Sequence, residues 1–195
     1  MNSVRELGNE GANTMIKHVM LDLETLGTGP YSTIIMIGAC VFDPYTDDPN
    51  KIITNRFEVA IDPKSYQARI DAATVMWWMD RDRDPARTAW LSMSKVTLSE
   101  ALDGFSEWMR YESADMRVWG NGSDFDNVLL SQAYEMMKRD APWNFRHNRC
   151  FRTLRNMLTD ETLQYLGTQH TALADAVNQA IRANQIVRKL GVKLT

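Results

Sequence analysis

Val19-Met20-Leu21-Asp22-Leu23-Glu24-Thr25 decides how the rest of the chain is read. Apolar residues lead into an alternation that sets Asp22 and Glu24 on one side and Leu23 on the other. Residues two apart on a strand share a face, so both carboxylates address the same space. Like charges this close repel unless a proton or cation offsets them. A hard divalent ion such as Mg²⁺ favours oxygen ligands of this kind. A solvated edge strand showing two acids to water has the same pattern, so later stretches must separate the two readings.

Around this stretch the chain predicts a first strand over Ile16 to Leu23, then turn chemistry at Gly27-Thr28-Gly29-Pro30. Thr33 to Phe42 reads as a long buried strand rich in β-branched residues. A polar loop from Asp43 to Asn50 precedes a third strand, Lys51 to Ile61, with apolar alternation at Phe57, Val59 and Ile61. The short connections predict an antiparallel meander that starts with the acid-bearing strand. After Asp62-Pro63 the period becomes helical. Helices are expected over Ala72 to Met79, with Asp71 as cap, from Pro85 as a first-turn proline, and over Ser99 to Tyr111. In the last of these, Leu102, Phe105, Trp108 and Met109 form an amphipathic stripe of core residues.

A short strand, Met116 to Gly120, is expected to lead into a helix from Asp126 to Arg139. A last strand falls around Arg149-Cys150-Phe151, followed by a helix over Leu154 to Leu158 and a long closing helix, Thr171 to Leu190. Meander first, then strand alternating with helix, predicts a mixed α/β sheet flanked by helices. Met1 to Thr14 has no periodicity and reads as a flexible leader, with residues 15–195 as a single domain.

The 195 residues, 44% of them hydrophobic, suffice for one full core. No apolar run is long enough to cross a membrane, and no signal-peptide core stands at the N-terminus. Cys40 and Cys150 form no disulfide framework, which predicts reduced thiols and a cytoplasmic location. The net charge of −3 does not advertise a nucleic-acid binder. Locally, Arg146, His147, Arg149, Arg152 and Arg155 bunch into a basic run.

Two further stretches carry chemistry. In Asn121-Gly122-Ser123-Asp124-Phe125-Asp126 a strand gives way to a helix, and Asp126 in its first turn is favoured by the helix dipole. Capping does not explain Phe125, whose burial would hold Asp126 at the strand's C-terminal edge. In His170-Thr171-Ala172-Leu173-Ala174-Asp175-Ala176, Thr171 suits the N-cap of the final helix. His170 then lies just outside that helix and Asp175 within its opening turns, with small residues allowing close approach to the sheet.

Asp-x-Glu on a first strand, Phe-Asp before a middle helix and His-x-Ala-x-x-Asp opening a last helix together resemble the DEDDh exonucleases of the ribonuclease H-like superfamily. The tyrosine branch of that superfamily has tyrosine where this chain has Thr171. Thr74-Val75-Met76-Trp77-Trp78, Trp119-Gly120-Asn121-Gly122 and Arg152-Thr153-Leu154 resemble the branch holding phage exonuclease A, the exonuclease VIII nuclease domain and the mycobacterial-type exoribonuclease. Two departures stand out. The charged run Asp80-Arg81-Asp82-Arg83 intervenes where the branch often has glutamine, and Cys150-Phe151 precede the Arg-Thr-Leu element where an acid often stands.

The resemblance implies two Mg²⁺ or Mn²⁺ ions held by Asp22, Glu24, Asp126 and Asp175, with Asp22 bridging and His170 as general base. It implies 3′-to-5′ removal of nucleoside 5′-monophosphates from single-stranded or frayed ends, DNA being slightly favoured over RNA. A non-cleaving nucleic-acid-binding module on the same fold is the reading from another class. Leu26, Trp77, Trp78 and Phe125 are expected along the substrate path, and Arg149 and Arg152 as phosphate contacts. No membrane partner is expected, and a homodimer is left open.

Overall fold

The computed structural model describes residues 16–112, 115–122, 124–158 and 165–194; the leader expected at 1–14 lies outside them. Strand β1 (Lys17–Thr25) pairs antiparallel with β2 (Ile34–Phe42), and β2 pairs antiparallel with β3 (Ile53–Ile61). Helices α1 (Ala72–Trp78) and α2 (Asp84–Ser92) follow, then the two-residue strand β4 (Lys95–Val96) and helix α3 (Leu98–Glu112). The chain continues through β5 (Met116–Gly120), α4 (Asp126–Met136), β6 (Asn148–Cys150), α5 (Phe151–Arg155) and α6 (Ala172–Leu190). The sheet order is β4-β3-β2-β1-β5-β6, with β5 parallel to β1, β6 parallel to β5 and β4 parallel to β3.

The predicted meander and mixed sheet are present. Strand β4 escapes sequence reading because two paired residues have no periodicity to detect. The last short helix begins at Phe151 directly after β6, earlier than the expected Leu154. Cys150 Sγ accepts from Thr153 N at 3.4 Å and occupies the cap position there. At Asp71 the carboxylate is not a helix cap. It accepts from Thr28 N at 3.0 Å and Arg69 Nε at 2.9 Å, tying the first turn of the chain to the start of α1.

Alternation along β1 sets the layers. Val19, Leu21 and Leu23 pack with Leu102, Phe105, Met109, Leu129, Leu130 and Ala133, the buried stripes of α3 and α4. Met20 packs on the opposite side with Cys40, Trp119, Phe151, Leu154, Ala176, Ala180 and Ala183, against α5 and α6. Asp22 and Glu24 continue the Met20 side and so face α6. Among the described residues no helix is long and apolar enough to cross a membrane.

Candidate active site

Alternation in β1 sets Asp22 and Glu24 on the α6 side, and Gly38 lets α6 reach them. Gly38 pairs with Asp22 in the β1–β2 register. A Cβ at Gly38 would lie 2.1 Å from Ala172 C and Leu173 N. Only the missing side chain allows the first turn of α6 to rest on the strand, and that contact brings Asp175 over the acid pair. Ala172, Ala176 and Ala180 continue the close packing down the helix, each fully buried.

Asp126 arrives from the other neighbour of β1. Gly120 closes β5, and a Cβ there would meet Asn127 Oδ1 at 2.3 Å and Asp126 Cβ at 3.1 Å. Asn127 donates to Val118 O at 3.0 Å and Asn148 Oδ1 at 3.1 Å, fastening α4 to β5 and β6. Phe125 packs part-buried on the core, as expected. Asp126 is 2% exposed, and its two oxygens accept from Leu23 N at 3.1 Å and Asn121 N at 2.8 Å. The carboxylate therefore bridges β1 and β5 through their backbones.

His170 sits before α6 with φ of 62°. A left-handed histidine is uncommon, and such strain persists where the surroundings over-determine it. Here His170 N donates to Asp175 Oδ2 at 3.0 Å. Thr171 occupies the N-cap position without a side-chain cap; its hydroxyl donates to Thr168 O at 2.8 Å instead. Single ligand atoms of Glu24, His170 and Asp175 all lie within 4.8 Å of one another. Trp78, 6% exposed, donates Nε1 to Thr25 O at 2.8 Å and pins the end of β1. Trp77, 39% exposed, meets the His170 ring nearly at right angles with centroids 5.0 Å apart. Leu26 packs part-buried against Ile35, Trp78 and Ala86.

The four carboxylates lie within electrostatic reach of one another. Burial, then the charges of Asp126, Glu24 and Asp175, raise Asp22 well above the ordinary carboxylate range. Burial, then Asp175 and Asp126, push Glu24 up to about 8. Burial raises Asp126 to about 6 against the pull of its backbone donors and Arg152, and burial also raises Asp175. Each shift says that the charged form is disfavoured when nothing offsets it. An oxygen-rich, mutually repelling donor set suits a hard divalent cation.

Three groups at the site escape sequence reading. Gln179 Nε2 donates to Asp22 Oδ1 at 2.7 Å, Tyr165 donates its hydroxyl to Asp175 Oδ1, and Arg83 stacks on Trp77. Gln179 was detectable, four residues after Asp175 and so on the same helix face. Tyr165 and Arg83 arrive from a loop and a 3₁₀ turn, where no period applies. Arg152 lies at the site, donating to Asn121 O at 2.6 Å. Arg149 makes backbone contacts around β6. Its guanidinium donates to Arg146 O at 3.1 Å and Asn148 O at 2.9 Å, within electrostatic range of Arg117 and Asp115. Sequence clustering of the arginines did not separate the two, because β6 and α5 aim them differently.

The Rv2179c-like 3′-5′ exoribonuclease domain matches residues 17–187. The chain belongs to that family. The exodeoxyribonuclease of Enterobacteria phage T4 is 20% identical over 119 residues, 57% of this chain and 52% of that protein. The match to this curated relative thus spans about half its length. Among solved structures, the nuclease domain of 3′hExo, a DEDDh family member bound to rAMP, superposes with a TM-score of 0.61 at 14% identity. That likeness covers 89% of this chain and 92% of that domain. Cell-death related nuclease 4 follows at 0.58 and 13%, covering 89% of this chain and 64% of that one. These likenesses concern the fold, and the fold is that of the ribonuclease H-like DEDDh exonucleases.

Proposed function

We propose that this family member is a metal-dependent 3′-to-5′ exonuclease that hydrolyses phosphodiester bonds at the 3′ end of single-stranded or frayed nucleic acid. The observation that carries the reading is the convergence of Asp22, Glu24, Asp126 and Asp175, from β1, α4 and α6, with His170 beside the Glu24–Asp175 pair. Gathering four carboxylates, Glu24 and Asp126 buried and Asp22 and Asp175 half-buried, costs free energy that a purely structural site has no reason to bear. Asp22, Glu24, Asp126 and Asp175 would hold two Mg²⁺ or Mn²⁺ ions. When bound, such ions neutralise phosphodiester charge and make water a better nucleophile at neutral pH.

The chain's own residues supply the rest. His170 is part-buried, and burial, then the Arg83 charge, hold its pKa below the usual 6.5. Its imidazole is therefore neutral near pH 7 and takes the proton of the attacking water at a ring nitrogen. The water oxygen bonds to phosphorus while the bond from phosphorus to the 3′ oxygen breaks, and that oxygen takes a proton from solvent water, His170 later giving its own back to solvent. A nucleoside 5′-monophosphate is released. Gln179 holds Asp22 by its amide, Tyr165 holds Asp175, and the Leu23 and Asn121 N–H groups hold Asp126. Leu26, Trp77, Trp78 and Phe125 line or buttress the path of the terminal nucleotide.

Although the resemblance read from the sequence slightly favoured DNA, we take RNA as the preferred polymer. The supporting observation is the exoribonuclease family match over residues 17–187, against 119 aligned residues for the phage exodeoxyribonuclease. Labelled single-stranded RNA and DNA of one sequence, incubated with Mg²⁺, with Mn²⁺ and with chelator, test the proposal. Stepwise shortening of the RNA from its 3′ end, stopped by chelator, is expected. Faster shortening of the DNA would reverse the choice of polymer. Binding of either strand without shortening would support the non-cleaving module instead.

A further inference from the structure

The charged run Asp80-Arg81-Asp82-Arg83 closes α1 as a short 3₁₀ turn over Arg81–Arg83 before α2 begins. Within the turn Asp80 is engaged through its carboxylate and its carbonyl, which accepts from Arg83 N at 3.0 Å. Asp80 Oδ1 accepts from Asp82 N at 3.1 Å. The neighbouring Arg87 donates to the carbonyl oxygens of Trp78 and Asp80 and pairs with Asp84. Arg83 differs. Its guanidinium carbon lies 4.4 Å from the centroid of the Trp77 ring, and its Nε is buried without a hydrogen-bond partner. Among the described residues its guanidinium makes no hydrogen bond or ion pair, although four carboxylates stand beyond the next two rings.

Those rings fix where the cation is. Trp77 meets His170 at 5.0 Å and 86°, and Trp78 at 5.1 Å and 83°. Trp78 is itself tied to the end of β1. A guanidinium held over an indole is restrained by the ring, and its terminal nitrogens, unlike the buried Nε, are left for an acceptor. A donor left unmade costs free energy, so the guanidinium is available to an acceptor. The planar fork of arginine matches phosphate oxygens in two-point hydrogen bonds. Trp77 contacts both Arg83 and His170, so the guanidinium lies one side chain removed from the proposed general base.

We propose that Arg83, held on Trp77, binds the internucleotide phosphate adjacent to the scissile one. This rests on the exonuclease reading of the site and adds to it a contact to the strand's backbone. Equilibrium binding of a fluorescent single-stranded RNA tests it, in an Asp22→Asn background that leaves the strand uncut, across a series of salt concentrations. Replacing Arg83 by alanine is expected to weaken binding about tenfold at low salt, the scale of one charge-assisted hydrogen-bonded contact. The slope of log affinity against log salt should become shallower by about 0.7, as for one lost phosphate contact on a single strand. Arg83→Lys should keep the slope and lose part of the affinity. Arg81→Ala, which removes an exposed charge two residues away, should leave the slope unchanged.

Unchanged affinity and slope in Arg83→Ala would overturn the contact, as would an equal slope change in Arg81→Ala, which would mean a general field. Failure of the exonuclease reading gives a different result: the unsubstituted protein would shorten no strand in Mg²⁺ or Mn²⁺.

Discussion

At the residue scale, His170 and the carboxylates are separable by experiment. His170→Ala is expected to lower turnover by about 10²–10⁴-fold, the usual contribution of a general base. Metal-induced stabilisation should persist in that variant, as measured by thermal melting, because all four carboxylates remain. Asp22→Asn should abolish cleavage and shrink the metal-induced shift together. His18 offers a residue-scale test away from the site. Buried against Trp119, whose Nε1 donates to His18 Nδ1 at 3.1 Å, it has its pKa pushed down to about 4. Burial is the main cause, followed by the Arg117 and Arg149 charges, with Asp43 opposing.

A depressed folded-state pKa makes the native protein bind fewer protons than the unfolded chain. The contribution of His18 is therefore complete above pH 6.5 and is lost as pH falls towards 4. His18→Asn keeps an acceptor for Trp119 but cannot titrate. Chemical denaturation at pH 7 and pH 5 should show the parent losing about 2 kcal/mol more than the variant over that interval. Equal losses would mean that His18 is protonated without penalty.

At the scale of elements, two glycines set how closely helices approach strands. Gly38→Ala would drive a Cβ into the backbone of Ala172 and Leu173, which no flexible side chain can relieve. Overpacking of this kind costs about 1–3 kcal/mol, and at about 2–4 °C per kcal/mol the melting temperature should fall by about 2–12 °C. Because α6 carries Asp175, the metal-induced shift should shrink as well. Gly120→Ala should act through α4 and Asp126 in the same way. A Gly38→Ala protein with unchanged melting and an unchanged metal response would show that α6 seats itself by other contacts.

At the scale of the whole molecule, the four-carboxylate cluster ties folding to metal. Ions that bind the folded state alone stabilise it by about 2.7 kcal/mol at a concentration one hundred times the dissociation constant. Melting curves with Mg²⁺ or Mn²⁺ should therefore shift up relative to chelator, by about 5–11 °C at that saturation. No shift would argue that the cluster is held by protons instead. The carboxylates that repel across α6, β1 and α4 sit on three elements, so an ion bound between them should tighten the packing of all three.

The sequence by itself determined the mixed sheet, the antiparallel meander and the face that Asp22 and Glu24 share. Strand and helix periods are local properties, written in consecutive residues such as Val19 to Thr25 and Leu98 to Glu112. The order of Asp22, Glu24, Asp126, His170 and Asp175 was legible for the same reason, each sitting in a short stretch with its own pattern. Tertiary structure alone decided that Gly38 is the seat of α6 and that Gly120 admits α4. It also decided that Arg152 reaches Asn121 beside Asp126 while Arg149 bonds the Arg146 and Asn148 carbonyls, and that Arg83 lies over Trp77. The physical reason is that close approach and side-chain direction depend on residues far apart in the chain. A glycine in a strand or an arginine in a turn carries no local sign of what packs against it.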